Sequence, residues 1–139
     1  MSVIKVRNAI ACEDLRQEVD GKLFAIGIIN PIIWRGKPRE DGTWPPIKLH
    51  FILSLDVPEA GEYEMRFRLR PSPGNDRRSQ TKVRVRFLAA AENVPFPIGP
   101  LRARPGKETT SFLLEQALDE NRWKRVAKWR LEDATEASE

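Results

Sequence analysis

Residues able to do covalent chemistry are scarce in this sequence. Its 139 residues include one histidine (His50), one cysteine (Cys12) and one tyrosine (Tyr63). A nucleophilic enzyme would have to pair Cys12 with His50, and of these two only His50 has the outward parity on its predicted strand. One cysteine and one histidine fill a four-coordinate zinc site only with two added carboxylates, and the isolated glycines form no phosphate-binding loop. We therefore expect no enzyme activity, no metal and no cofactor, unless a cleft gathers His50 with carboxylates.

A cluster of acidic residues precedes a predicted turn at Gly21. Oxygen ligands at the loop end of a β-sandwich could bind calcium, but the spacing matches no calcium-binding loop and Arg16 would lie among the ligands. A solvated turn, with Arg16 paired to one of the first two acids, is the favoured interpretation. The cluster consists of Glu13, Asp14, Glu18 and Asp20.

The basic residues give the strongest functional signal. The formal net charge is +4, but residues 62–87 hold eight basic and three acidic residues, a net charge of +5, so the remainder has a net charge of −1. Two predicted strands in this segment alternate cations with apolar residues, and antiparallel pairing would place six cations on one sheet face, about 5 Å from their neighbours. These cations are Arg66, Arg68, Arg70, Lys82, Arg84 and Arg86.

Like charges that face each other cost stability, so the six cations suggest an anionic partner. An acidic protein partner is the leading hypothesis, which makes the chain a non-enzymatic interaction module. The alternative is an accessory nucleic-acid-binding protein that contacts phosphates with the same face. A third interpretation needs no partner, because outward strand positions require polar groups, arginine stems cover the sheet, and acids of the tail or a loop could neutralise the face. No membrane partner is expected.

Two tryptophans frame the longest polar loop, residues 34–46. Trp34 and Trp44 could form an aromatic, cationic partner-binding tip, or they could fold onto the rim of the sandwich, since tryptophan is highly buried on average. Proteins that hold single-stranded nucleic acid usually offer stacking rings. Only these two tryptophans could add such rings to the basic face, which favours the protein partner.

The elements that must position these groups are strands. Apolar and polar residues alternate with period two over residues 47–57, 63–70 and 82–87, and turn-forming residues join the three segments. Pairing of the first two segments would bring Lys48 and His50 toward the basic face. A further strand is predicted over residues 3–12, and its inward side would carry Ile4, Val6, Ile10 and Cys12.

The remaining segments are less regular. Residues 22–33 are apolar on both parities, which indicates a strand covered on both faces, and three prolines limit residues 94–101 to a short edge segment. Residues 112–118 favour helix by propensity, but their alternation and the following turn favour a hairpin with residues 123–131. The inward side of that return strand would carry Trp123, Ala127, Trp129 and Leu131.

Together these features predict an all-β, antiparallel two-sheet sandwich of the immunoglobulin-like or C2-like kind, with about eight strands. Residues 1–131 would form a single domain, and residues 132–139 an acidic, solvated tail. Cys12 cannot form an intramolecular disulfide, and its apolar setting predicts a buried thiol in a reducing compartment. Because residues 1–10 carry charges and no long apolar run, we expect a cytoplasmic protein without a signal peptide or membrane span.

One stretch of the sequence is similar to a known family. Residues 8–18 (NAIACEDLRQE), followed by Gly21-Lys22 and Ile26-Gly27-Ile28, resemble the opening of a bacterial family of small domains of unknown function. The strand start Gly61-Glu62-Tyr63 and the pair Pro105-Gly106 fit the same family. The resemblance would extend over nearly the whole chain, although only its opening is distinctive. It implies a β-sandwich and favours the C-terminal hairpin, but it implies no activity and transfers no functional residues.

Overall fold

A computed structural model describes residues 4–20, 22–29, 31–73, 81–89 and 95–133. These residues form nine strands and no helix. The strands are β1 (Lys5–Gln17), β2 (Leu23–Ile29), β3 (Ile32–Arg35), β4 (Ile47–Asp56), β5 (Gly61–Ser72), β6 (Thr81–Ala89), β7 (Pro95–Ala103), β8 (Ser111–Ala117) and β9 (Trp123–Asp133).

The strands form two sheets packed face to face. The four-stranded sheet has the order β2-β1-β4-β7 and the five-stranded sheet the order β3-β9-β8-β5-β6. The predicted all-β two-sheet sandwich is confirmed. The five-stranded sheet is mixed, because β3 pairs with β9 in parallel, whereas the other pairs are antiparallel.

The expected pairing of β4 with β5 is wrong. These two strands are consecutive in the chain, yet they belong to different sheets. The short connection between them therefore crosses the sandwich, and Lys48 and His50 lie on the four-stranded sheet, away from the basic residues of β5. Turn-forming residues show that the chain reverses, but they do not determine whether the next strand pairs with the previous one or passes to the opposite sheet.

The core lies between the inward faces of the two sheets. Alternate residues of β4 and β5 are fully buried there because period-two alternation points them all inward. The Phe51 ring of one sheet contacts the Trp129 ring of the other at 5.4 Å between centroids. Phe87 and Phe96 join the β6 and β7 edges with centroids 4.6 Å apart. The largest fully buried side chains are Phe51, Phe67, Phe112, Leu49, Leu53, Leu55, Leu69, Leu101, Leu114 and Cys12.

An irregularity in β1 changes which of its residues face the core. The register with β4 shifts between Val6 and Asn8, and one extra residue in a strand moves the following side chains to the opposite face. The predicted inward position of Ile10 is therefore wrong: its side chain is 44% exposed. Ala11 instead lies opposite the core residue Phe51. β1 also continues to Gln17, so part of the segment expected to be a polar turn belongs to a strand.

Several boundaries differ from the predictions. The proline-containing β7 is an edge strand as predicted, but it is nine residues long. The C-terminal hairpin is confirmed by the antiparallel pairing of β8 with β9. β3 is a separate short strand that was not predicted. Asp133, expected in the tail, belongs to β9, and its Oδ1 lies 2.6 Å from Arg35 Nε; residues 134–139 lie outside the described residues.

Candidate anion-binding face

The six cations singled out by their alternation share one face of the five-stranded sheet. In the antiparallel pair of β5 and β6, Arg66 lies opposite Arg84 and Arg68 lies opposite Lys82. Directly opposite residues of an antiparallel pair project to the same side, and the intervening residues of β5 point into the core. The outer surface of β5 and β6, together with the side chains of β8 and β9 that contact it, is called the cationic face below. Its six predicted members are Arg66, Arg68, Arg70, Lys82, Arg84 and Arg86.

A buried carboxylate from β8 binds two of these arginines. Glu115 is only 7% exposed, and its Oε1 accepts hydrogen bonds from Arg68 Nε and Arg70 Nε, each at 2.8 Å. Its Oε2 accepts a third from Arg70 Nη2 at 3.4 Å. The register places Glu115 directly opposite Arg68. The strand order of the sheet therefore brings Glu115, Arg68 and Arg70 together, and these three residues are called the clamp below. The sequence suggested that acids of the tail or a loop could neutralise the cations of this face, whereas the carboxylate that pairs with Arg68 and Arg70 comes from a neighbouring strand.

The clamp controls the ionisation of Glu115. Burial by itself would raise the pKa of this carboxyl group, because a charge is poorly solvated inside a protein. Hydrogen bonds from Arg70 and Arg68, together with their positive charges, outweigh burial and hold the pKa below its usual value. Glu115 is therefore ionised at neutral pH and fixes both arginine side chains.

The stabilising contribution of Glu115 is expected to disappear in acid. Its folded-state pKa is lowered, so the contribution is complete above the unfolded value of about 4.3 and is lost as the pH falls through the folded value. Urea unfolding of the wild type and of Glu115→Gln should show a large difference at about pH 7 and a smaller one at about pH 3. If the stability difference between the wild type and Glu115→Gln is the same at both pH values, the charge of the carboxylate is not its cause.

Glu64, a second carboxylate on the face, binds two exposed arginines. Glu64 Oε1 lies 3.1 Å from Arg84 Nε, and Glu64 Oε2 lies 3.4 Å from Arg86 Nε. The side chains of Arg84 and Arg86 are 67% and 73% exposed, so these pairs are screened by solvent and individually weak. Arg66 and Lys82 form no ion pair with any carboxylate among the described residues.

A tryptophan from β9 completes the face. Trp123 lies opposite Ala117 in the sheet, and that small residue leaves room for the indole to reach β5. The guanidinium carbon Cζ of Arg68 is 4.2 Å from the Trp123 ring centroid, and Lys82 Nζ is 6.0 Å from it, both within cation–π range. A depression of about 310 Å³ opens beside the indole, lined by Arg66, Phe67, Lys82, Val83, Arg84, Glu120 and Trp123.

Trp123 was predicted to face the core together with Trp129. The register between β8 and β9 shifts between Leu114 and Glu115. The shift moves the residues before it in β9 to the other face, so Trp129 is buried and Trp123 lies on the outer side. The sequence contained the right residue on the right strand, but period-two counting assigned it to the wrong side.

The loop tryptophans do not join the cationic face. Trp34 is 49% exposed on β3, which is separated from β5 by β9 and β8, roughly 14 Å away at the usual strand spacing. Trp44 lies beneath Arg35, whose Cζ is 4.3 Å from its ring centroid. Arg35 also donates to the carbonyl of Gly106 at 3.1 Å. Trp44 is therefore held at the rim, and the two tryptophans form no common tip with the six cations.

The residues considered for catalysis form no catalytic pair. Cys12 is fully buried, and its Sγ donates to the backbone carbonyl of His50 at 3.6 Å rather than to the imidazole. Burial, and then the charge of Asp14, raise the pKa of the Cys12 thiol. The imidazole Nε2 lies 4.0 Å from Asp14 Oδ1. In the acidic cluster, Arg16 Nε is 3.9 Å from Asp14 Oδ2, which is one of the two pairings predicted.

Within the described residues, no group of three or more His, Cys, Asp and Glu side chains is placed to share a metal ion. The described part of the chain also contains no helix capable of crossing a bilayer. No family model, no curated protein and no solved structure matches this chain.

Proposed function

We propose that the protein is a non-enzymatic interaction module that binds an acidic protein partner through the cationic face. The observation that carries the proposal is the imbalance on this face. Six cations lie around four carboxylates, Glu62, Glu64, Glu115 and Glu120, and among the described residues only Glu64 and Glu115 form ion pairs with the six. Arg66 and Lys82 lack a carboxylate partner among the described residues, and both line the depression beside Trp123. Carboxylates of a partner would supply the missing counter-charges.

Preorganisation supports this role. Glu115 fixes the side chains of Arg68 and Arg70 before any partner arrives, so less rotamer entropy is lost on binding. The exposed side chain of Arg86 lies outside the depression, at the periphery, where charges mainly accelerate association and select the partner. We also propose that the protein is cytoplasmic and that it belongs to the family that residues 8–22 resemble.

A second candidate function is accessory nucleic-acid binding through the same face. The observation in its favour is Trp123, because an aromatic ring among cations is a common platform for stacking bases. Arg68 already occupies one side of that ring, and Glu120 and Glu64 lie at or near the depression. A repeating phosphate backbone would meet these carboxylates, so the acidic protein remains the better-supported partner.

Charge reversal on the cationic face is expected to abolish partner capture. The triple variant Arg66→Glu, Lys82→Glu, Arg84→Glu should weaken binding by about tenfold or more, because opposite charges across the interface become like charges. The partner is identified by carbodiimide coupling of its carboxylates to lysine amines, with Lys82→Arg as the control for coupling through the other lysines, and affinity is then measured by calorimetry with the purified partner. The melting temperature should fall by only a few degrees, since the three side chains do not contribute to the core and the Arg84–Glu64 pair that is lost is exposed.

The matched control reverses three exposed cations elsewhere, with the substitutions Arg16→Glu, Lys22→Glu and Lys48→Glu. It has the same net charge and should bind normally. An equal loss of affinity for the partner in both triple variants would show that net charge, and not the cationic face, governs binding. The second candidate would be favoured if the chain bound a mixed-sequence oligonucleotide more tightly than the protein partner and if that affinity fell steeply with rising salt concentration.

A further inference from the structure

We propose that the depression beside Trp123 binds a single phosphomonoester carried by a side chain of the partner protein. This inference rests on the proposed function and specifies the chemistry of its central contact. The depression has a volume of about 310 Å³, enough for a phosphoryl group and the atoms that link it to a peptide. Three cations and one aromatic ring on its wall determine the kind of group it accepts.

The charge around the depression fits a dianion better than a carboxylate. Arg66, Lys82 and Arg84 line it, and of these only Arg84 has a carboxylate partner among the described residues, namely Glu64. A phosphomonoester carries close to two negative charges at neutral pH and has three strong acceptor oxygens. It can accept from two guanidinium groups and an ammonium at once, whereas a carboxylate has two oxygens and one charge.

The aromatic wall is held in place by the clamp. The hydrogen bond from Arg68 Nε to Glu115 orients the guanidinium group, and the same group lies 4.2 Å from the Trp123 ring centroid. The indole is therefore fixed at the side of the depression by a residue that is itself fixed. Its apolar surface would contact the carbon atoms that carry the phosphoryl group, while the cations contact the oxygens.

The flanking charges favour one phosphoryl group over a chain of them. Glu120 lies at the wall of the depression, and Glu64 lies between Arg84 and Arg86. An isolated phosphoryl group shares the depression with Glu120 but can contact Arg66 and Lys82 without approaching Glu64, whereas the neighbouring phosphates of a nucleic acid would be brought against both carboxylates. A phosphorylated side chain of a protein has this isolation, and the surrounding face can contact acidic residues next to it.

The test is a titration of the 139-residue chain, labelled with ¹⁵N, with phenyl phosphate. Of the indole N–H signals, that of Trp123, assigned with Trp123→Phe, should shift, while those of Trp34, Trp44 and Trp129 should not. A dissociation constant of about 1 mM is expected for so small a ligand, and benzoate should bind several-fold more weakly. Phenyl phosphate binding should also weaken as the pH falls below about 6, where the dianion becomes protonated.

Matched variants localise the binding. Arg66→Gln and Lys82→Gln should each reduce affinity for phenyl phosphate by about tenfold, and both are surface substitutions whose folding is checked by melting temperature. Arg86→Gln removes a cation from the same face but outside the depression, and it should leave the affinity unchanged. A serine-phosphorylated peptide with acidic neighbours should bind more tightly than its unphosphorylated form, with the same dependence on Lys82.

Three results would overturn the inference. They are equal binding of benzoate and phenyl phosphate, absence of a shift at Trp123, and binding of adenosine monophosphate or an oligonucleotide much more tightly than the phosphopeptide. The broader proposal is tested separately. If an unphosphorylated acidic partner is captured by the wild type and lost in the triple charge-reversal variant, the proposed function stands while the phosphoryl site is rejected.

Discussion

Replacing Glu115 with glutamine is expected to lower the free energy of unfolding by about 3 kcal/mol, because two arginines would lose their buried counter-charge. The side chains of Arg68 and Arg70 are only 19% and 22% exposed, so water can replace the carboxylate only in part. Glutamine has nearly the same size, which separates the loss of charge from the loss of packing. Urea unfolding at neutral pH measures the change, and the melting temperature should fall by roughly 10 °C.

The matched control is Glu64→Gln on the same face. Glu64 also contacts two arginines, but those are exposed, and the expected cost is about 0.5 kcal/mol. The combined variant Arg68→Met, Arg70→Met, Glu115→Leu should recover much of the stability lost in Glu115→Gln, since no uncompensated charge remains. If Glu115→Gln and Glu64→Gln lower the free energy of unfolding equally, burial of the clamp does not add to its stabilising effect.

Gly99→Ala is expected to cost about 3 kcal/mol, because the backbone at this position disfavours any side chain. Gly99 has a φ of +125°, in a region that residues with a Cβ rarely adopt. A Cβ atom there would lie 3.0 Å from His50 Cα and 3.1 Å from Leu49 O, both of which belong to the backbone of β4. The register between β4 and β7 shifts at this point, so the substitution should loosen the β7 edge.

Gly36→Ala provides the control for this prediction. A Cβ at Gly36 would meet no atom within 4 Å, so the substitution should change stability by less than about 1 kcal/mol, with the sign favouring alanine because the unfolded chain becomes less flexible. Chemical denaturation of both variants compares the two positions. A Gly99→Ala protein as stable as Gly36→Ala would mean that the β7 backbone adapts without cost.

Alternation in the sequence predicted the regular strands because nothing interrupts their period. In β4 the buried residues Leu49, Phe51 and Leu53 follow each other at every second position, and in β5 the same rule separates the core from the six-cation face. The face could therefore be predicted by residue. Its partial neutralisation could not, because Glu115 meets Arg68 across a pairing of residues 47 positions apart, and no local pattern encodes that register.

The two wrong assignments of side chains to the core share one physical cause. A single-residue irregularity reverses the facing of everything beyond it, and it leaves no mark in a count of apolar and polar positions. Ile10 and Trp123 were both assigned to the core for this reason. The second error mattered more for function, because it hid the aromatic ring of the cationic face and made the loop tryptophans look like the available substitutes.

The parallel pairing of β3 with β9 affects the order in which the chain can assemble during synthesis. Residues joined across this pair, such as Arg35 and Asp133, are 98 positions apart, so β3 emerges from the ribosome long before β9, its neighbour in the described sheet, exists. Until β9 arrives, the apolar Ile32 and Ile33 have no sheet to join. Closure of the sandwich is therefore a late event with a high contact order, and a nascent chain halted before β9 would be a natural substrate for chaperones.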